Sequence, residues 1–452
     1  MMGAPEYFRL AADQEALFNF VAGYPRVILN MACRVDIESE IDEEKAVEAM
    51  KLTVTRLPFC TIRLHEPEPE KFVQYYCDDA PEGFEIVDMS GASEEEIDAY
   101  ILELAGSPLP NDYDDVQLYD FKLIRAPEGR HIVYFNGFHI IMDSVGLIYV
   151  ITYFCKVYEA LVNGTELPAP GIPVDKLIDQ SWEYMASKRA KDDLEWWLGQ
   201  FATEPHFSSM NPRPSPEYVE GKNYGKDLGE DNIFCESLPK RIPAEFVEKV
   251  NAEALKLGVS AQLYYMLALR TWLARNSGCT DVMFDTTGAR RATLVQKNGG
   301  MTLAHQVQWR SDIPNDCVFR DALLKLNVNQ RDIYKHIGIL EDYLTPSFKR
   351  FGTPAGMRYA ACVFTYQPYF NSEGLELKFK ANHVNIGVTN TPLYLNMMPH
   401  DASGDIWADY IYSKGYLDPA NLEAFHAFML RFIENGIADP GKTIAEIAEM
   451  SL

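Results

Sequence analysis

Apolar positions along this chain follow two rhythms, one of alternating or β-branched runs and one of helical spacing. Arg130–Tyr134 is apolar and β-branched and predicts a strand running into Phe138. After it, Leu147, Ile151, Phe154, Val157, Tyr158 and Leu161 recur at helical spacing. Between strand and helix stand His139 and Asp143, with Asp143 or Ser144 placed to cap the helix by accepting from its free N–H groups. Gln117–Ile124 predicts a partner strand, joined to the first through the turn Ala126-Pro127-Glu128-Gly129. Upstream, the pattern predicts a helix over Phe8–Ala16, a strand within Tyr24–Val35 and a strand over Cys60–Leu64. It also predicts a strand over Phe72–Tyr76 and a helix over Ser93–Leu104. A further helix begins at Asp42 with acidic residues in its first turn, where the helix dipole favours them, and ends near Leu57-Pro58.

Pro168, Pro170 and Pro173 break any helix in 163–182, which sets a boundary between an N-terminal lobe, 1–178, and a C-terminal lobe, 179–452. A junction helix over 179–200 carries Trp182, Tyr184, Leu194, Trp196 and Trp197, aromatics suited to packing between lobes. Residues 203–231 are rich in Pro, Gly, Ser and Asn and read as a long surface loop or crossover. Two helices follow, Pro243–Leu255 closed by Gly258 and Ala261–Arg275 closed around Gly278. Then come a strand over Asp281–Thr286, a turn over Thr287–Arg291, a hairpin of Thr391–Met398 with Asp405–Tyr412, and a closing helix over Pro419–Asn435.

Charge and composition narrow the function. A formal net charge of −25 disfavours non-specific nucleic-acid binding, which needs stripes of Lys and Arg. No run of 18 or more apolar residues and no basic-then-apolar N-terminal segment occurs, so neither a membrane span nor a secretory signal is expected, and the chain reads as cytoplasmic. The eight cysteines are scattered without a Cys-x-x-Cys pair, as buried thiols in a reducing compartment would be. The nine histidines show no zinc-type spacing, so no metal is expected.

The strand hairpin, the His139-x-x-x-Asp143 turn and the long helix after it resemble the core of condensation domains of nonribosomal peptide synthetases. These belong to the chloramphenicol-acetyltransferase-like acyltransferases, with the BAHD and wax-ester enzymes as relatives. Their motif is His-His-x-x-x-Asp-Gly; here Phe138 stands for the first His and Ser144 for the Gly. Arg56 to Arg63 loosely resembles the family's His-Pro-x-Leu-Arg-x-x-Phe segment. The helix, strand and turn from Gly258 to Arg291 resemble another, with Asp285 in place of a family glycine. Asn298–Val307 resembles a third without its Asn and Pro, and His336 alone persists of a fourth. The likeness covers nearly the whole chain. It implies an α/β (α+β) fold of two chloramphenicol-acetyltransferase-like lobes, each a mixed sheet with helices, forming a V with a central channel. It also implies His139 as the catalytic base and Asp143 as a structural residue salt-bridged to Arg290 or Arg291 across the lobe interface. Phe138, Ser144, Gly300, Thr365 and Gln367 would line the substrate channel.

Acyl transfer from a thioester asks for a base of near-neutral pKa and for two substrates held in line. No Gly-x-Ser-x-Gly elbow is present, and Ser144 reads as a helix cap rather than a nucleophile. The resemblance therefore implies a free-standing condensation-like acyltransferase that joins an acyl thioester to an amine or hydroxyl, with donor and acceptor arriving from elsewhere. No bound cofactor is implied. The co-substrate would be an acyl thioester of phosphopantetheine on an acyl or peptidyl carrier protein, or of coenzyme A, and the acceptor a small-molecule amine or alcohol. Both donors are anionic and would need a local basic patch. Two alternatives remain: an acyl-CoA-dependent alcohol O-acyltransferase, and a catalytically degenerate binding or scaffold protein marked by Phe138, Ser144 and Asp285. Two lobes in one chain make one complete cleft, so a monomer suffices.

Overall fold

A computed structural model describes residues 5–211, 233–340, 344, 349–351, 359–360, 362–367 and 374–452. Most of the expected 203–231 loop lies outside the described residues. In chain order the first elements are α1 (Ala12–Phe20), β1 (Asn30–Ile37), α2 (Glu43–Arg56), β2 (Ile62–Glu68), β3 (Lys71–Tyr76), β4 (Ile86–Asp88) and α3 (Glu94–Ala105). Then come β5 (Tyr119–Arg125), β6 (His131–Phe138), α4 (Ser144–Asn163), α5 (Asp175–Ala186), α6 (Lys188–Gln200), β7 (Cys235–Ile242), α7 (Ala244–Leu257) and α8 (Gln262–Ser277). They are followed by β8 (Asp281–Gly288), α9 (Leu294–Asn298), β9 (His305–Asp312), α10 (Phe319–Lys335), β10 (Val363–Tyr366) and β11 (Phe379–Val384). The last are β12 (Leu393–Met398), β13 (Ile406–Ser413), α11 (Pro419–Ala438) and α12 (Ile444–Met450).

The chain forms two compact units that do not follow sequence order. The first holds Met1–Ser187 together with Ala289–His305 and Tyr369–Val388; the second holds Lys188–Gly288, Gln306–Pro368 and Thr389–Leu452. The expected junction helix is two helices, because Ser187 takes an extended conformation (φ −79°, ψ 161°) and its hydroxyl donates to the Tyr184 carbonyl at 2.6 Å. α5 belongs to the first unit and α6 to the second.

The sheet of the first unit has the order β11-β1-β6-β5-β4, antiparallel except for β4 beside β5. β6 is apolar without alternation because both faces are covered. On one face Ile132 and Tyr134 pack with Ile97, Ile101 and Ala105 of α3. On the other, Phe121 meets Phe135 edge-on at 5.0 Å and Phe154 of α4 at 5.7 Å. Among the described helices, α4 is the one long and apolar enough to cross a membrane, yet half its residues are buried within the unit, as in a core helix. β11 was not foreseen: it pairs with β1, Ala381 opposite Val35 and Phe379 opposite Ile37.

The second unit has its own mixed sheet, β7-β13-β12-β10-β8-β9, in which β10 runs parallel to both β8 and β12. α8 is buried almost all round, as an apolar helix in a core must be. Its Trp272 contacts Phe425 and Phe428 of α11 at 5.7 and 5.2 Å.

One close approach fixes α4 in the first unit. A Cβ on Gly146 would lie 2.1 Å from the Gly300 carbonyl oxygen and 2.8 Å from the Met142 Cβ; a Cβ on Gly300 would lie 2.0 Å from the Phe59 ring. Gly146→Ala is expected to lower the unfolding free energy by about 1–3 kcal/mol through overpacking. Urea denaturation followed by tryptophan fluorescence measures this, and stability equal to the wild type would contradict so tight a contact.

Candidate active site

β6 delivers the chain to a loop whose peptide groups are tied down almost one by one. The His139 N–H donates to the Leu29 carbonyl at 2.7 Å, and the Ile141 N–H to the Phe138 carbonyl at 3.0 Å. The Gln14 amide of α1 donates to the Ile140 carbonyl at 3.0 Å, and the Thr302 hydroxyl donates to the His139 carbonyl. At its far end Asp143 is the N-cap of α4. Ser144, which the sequence offered as an alternative cap, is instead the first residue of the helix, because the Asp143 carboxylate already takes the free N–H groups.

Asp143 is fully buried. Its Oδ1 accepts from Val145 N at 3.0 Å, Gly146 N at 3.2 Å and Arg291 Nη2 at 2.8 Å. Its Oδ2 accepts from Arg291 Nη1 at 2.8 Å, Leu303 N at 3.0 Å and Ala304 N at 2.9 Å. Burial pushes this carboxyl up, but the Arg291 charge and the surrounding hydrogen bonds outweigh it and hold it below the usual aspartate range. The guanidinium is spread over two more acceptors, the Ala289 carbonyl at 3.0 Å and the Met301 carbonyl at 3.1 Å. None of the donors to Asp143 is His139, so the carboxylate shapes the loop and does not orient the imidazole by hydrogen bonding.

The His139 ring is partly exposed. Its Nδ1 is buried and makes no hydrogen bond to another residue, and Nε2 has no partner among the described residues. Burial lowers its pKa from the ordinary imidazole value; the Asp143 charge and the residue's own carbonyl pull upward without offsetting that. The ring is therefore neutral at pH 7, with a nitrogen lone pair available to take a proton.

The remaining expected residues divide between the units. Of the two candidate arginines, Arg291 pairs with Asp143, whereas Arg290 pairs with Asp13 of α1 and holds a left-handed backbone, φ 48°. The expectation of a bridge across the lobe interface is corrected: residues Ala289–His305 group with the first unit, so both pairs lie inside it. Phe138 does not present a channel wall, because its ring is fully buried and stacks on Tyr113 at 4.2 Å, with Phe18 at 6.3 Å. Gly300 is buried against the first turn of α4. Thr365 and Gln367 belong to the second unit, where both are buried and, with Thr287, hydrogen-bond the Tyr394 phenol; the Thr287 and Thr365 hydroxyls are 3.0 Å apart.

Sequence reading missed Gln14, Thr302 and the backbone donors of Leu303 and Ala304. The last two act through main-chain N–H groups, which leave no mark in side-chain identity. One trio of metal-capable side chains, His65, Asp114 and Asp115, does come together among the described residues, with His65 Nδ1 2.9 Å from Asp115 Oδ2.

Residues 25–451 match the Condensation domain family, so the chain belongs to the condensation-domain family, whose members form amide and ester bonds. It is similar to surfactin synthase subunit 1 of Bacillus subtilis (strain 168), 21% identical over 440 residues, covering 93% of this chain and 11% of that protein. Among solved structures it is similar to the first condensation domain of the calcium-dependent antibiotic synthetase in complex with substrate analogue 2a. There the TM-score is 0.83 and the identity 19%, over 98% of this chain and 99% of that one. It is also similar to the starter condensation domain of rhizomide synthetase, an arginine-to-alanine mutant in complex with C8-CoA. That match has a TM-score of 0.82 and 16% identity, over 97% of this chain and 96% of that one. The chain spans only a small part of its curated relatives, 11% of surfactin synthase subunit 1 and 6% of tyrocidine synthase 2 of Brevibacillus parabrevis. The fold is accordingly the two-lobed α/β fold of condensation domains, as the sequence resemblance implied.

Asp143→Ala leaves the buried Arg291 charge uncompensated and is expected to cost about 3–5 kcal/mol of stability. Chemical denaturation measures it, and a loss under about 1 kcal/mol would contradict the network described. Because the native carboxyl titrates below its unfolded value, the stability it contributes is present above about pH 4 and is lost as pH falls through the native pKa.

Proposed function

We propose that this protein is an acyltransferase that joins an acyl thioester to an amine or hydroxyl acceptor, with His139 as general base. The observation that carries the reading is a partly exposed imidazole that makes no hydrogen bond to another residue and whose pKa burial lowers, on a loop held by Asp143. As the acceptor attacks the thioester carbonyl carbon, its proton passes to the imidazole and the new N–C or O–C bond forms. Collapse of the tetrahedral adduct breaks the C–S bond. The leaving thiolate then takes the proton back, which restores the neutral ring. Such a base contributes roughly 10²–10⁴-fold, and positioning up to about 7–11 kcal/mol more.

The C8-CoA complex of the rhizomide synthetase starter domain, and a second complex with C8-CoA and Leu-SNAC, support an acyl thioester donor and a thioester-borne acceptor. Coenzyme A and an acyl or peptidyl carrier protein are the two donor forms, and a small amine or alcohol is the acceptor. All eight cysteines are free thiols, which supports a reducing compartment such as the cytoplasm.

The test is incubation with a panel of acyl-CoA and acyl-carrier thioesters and amine or alcohol acceptors, with product detected by mass spectrometry. His139→Ala is expected to retain the wild-type melting temperature and lose about 10²–10⁴-fold in kcat. Equal turnover by both proteins would remove His139 from the chemistry, and no product with any pair would favour a binding or scaffold role. Because burial lowers the imidazole pKa, the acid limb of kcat/KM is expected below about 6.5. An acid limb above that value would contradict the assignment.

A further inference from the structure

Away from His139 the first unit holds a pocket of about 150 Å³, and no residue of the His139 loop lines it. Its inner wall carries Arg63 and Tyr119, which are 7% and 3% exposed. Arg63 Nη1 donates to the Ile62 carbonyl at 3.0 Å and to the Cys60 carbonyl at 3.4 Å, and the guanidinium hydrogen-bonds the Tyr119 phenol. Among the described residues no carboxylate lies within 4.0 Å of its nitrogens. A guanidinium this deeply buried is ordinarily matched by an anion, because desolvating an unpaired charge is costly.

The outer part of the pocket has the opposite character. Asp78 and Asp79 both line it and both are exposed. Thr55 and Thr61 stand on the walls, their hydroxyls donating to the Lys51 and Pro58 carbonyls at 2.9 Å each, which leaves oxygen lone pairs to accept from a ligand. The volume exceeds what a single water needs and admits several heavy atoms. A cation within and two carboxylates at the solvent side fit a molecule that carries both charges a few bonds apart. A simple anion would enter past two like charges.

We propose that this pocket binds a small zwitterion, a free α-amino acid in chemical class, with its carboxylate on Arg63 and its ammonium group toward Asp78 and Asp79. The site is independent of the acyl-transfer reading and stands or falls separately from it.

Isothermal titration calorimetry of the full chain with L-alanine, acetate and methylammonium tests the assignment. Saturable millimolar binding of L-alanine is expected, with acetate and methylammonium each weaker by about tenfold, because each keeps only one of the two charge-assisted contacts. Arg63→Gln should abolish alanine binding, and Asp78→Asn combined with Asp79→Asn should weaken alanine to the level of acetate. The aspartates are exposed, so the double variant remains informative should Arg63→Gln fail to fold. No saturable alanine binding to the wild type, or alanine binding unchanged in the double variant, would overturn the proposal. Acetate binding as tightly as alanine would overturn it too, leaving an anion site in its place.

Discussion

A single carboxylate with no exposure to solvent gathers six donors from two separate stretches of the chain. The first two backbone N–H groups of α4 beyond Ser144, the Arg291 guanidinium and the main chain at Leu303 and Ala304 converge on Asp143. Burying either partner of such a pair alone would be costly; buried together, with the remaining lone pairs filled, the charges offset the desolvation. The pair thereby dictates geometry more than it adds stability. It joins the start of the longest apolar helix of the first unit to the segment 289–304, and the His139 loop runs between those attachment points.

That commitment determines how the imidazole behaves. In a triad, a carboxylate hydrogen-bonds the histidine and supports the imidazolium. Here the carboxylate is saturated by other donors, and its effect on His139 is a through-space pull that burial outweighs. The result suits a base that must be unprotonated before the acceptor arrives. The sheet beneath, apolar on both faces and packed between α3 and α4, holds the loop still. The contacts among Gly146, Gly300 and Phe59 leave α4 no slack in which to slide.

Much of this was legible in the sequence, for physical reasons. The β5–β6 hairpin, the turn and α4 announce themselves through turn residues, β-branched runs and helical periodicity, and Asp143 lies where an N-cap belongs. Arg291 was legible as one of two candidates, but not over Arg290, since the choice depends on a left-handed backbone at Arg290 that sends that side chain to Asp13. The assignment of Ala289–His305 to the first unit was hidden because grouping by space leaves no trace in local pattern. The same holds for β11, which is short, lies far along the chain and joins a sheet begun at residue 30. Phe138 was misread as a channel wall because its place in the family motif suggested access, whereas its stacking on Tyr113 depends on a turn of positive-φ residues around Asn111–Tyr113 that no periodicity reports.

The most direct measurement is the titration of the His139 ring itself, by imidazole nitrogen NMR on the isotope-labelled wild-type protein. The account predicts a midpoint below the ordinary histidine value, with the ring neutral throughout the neutral range. A midpoint at or above the ordinary value would show that the Asp143 charge, not burial, governs the ring, and would contradict the picture of a base poised in its unprotonated form.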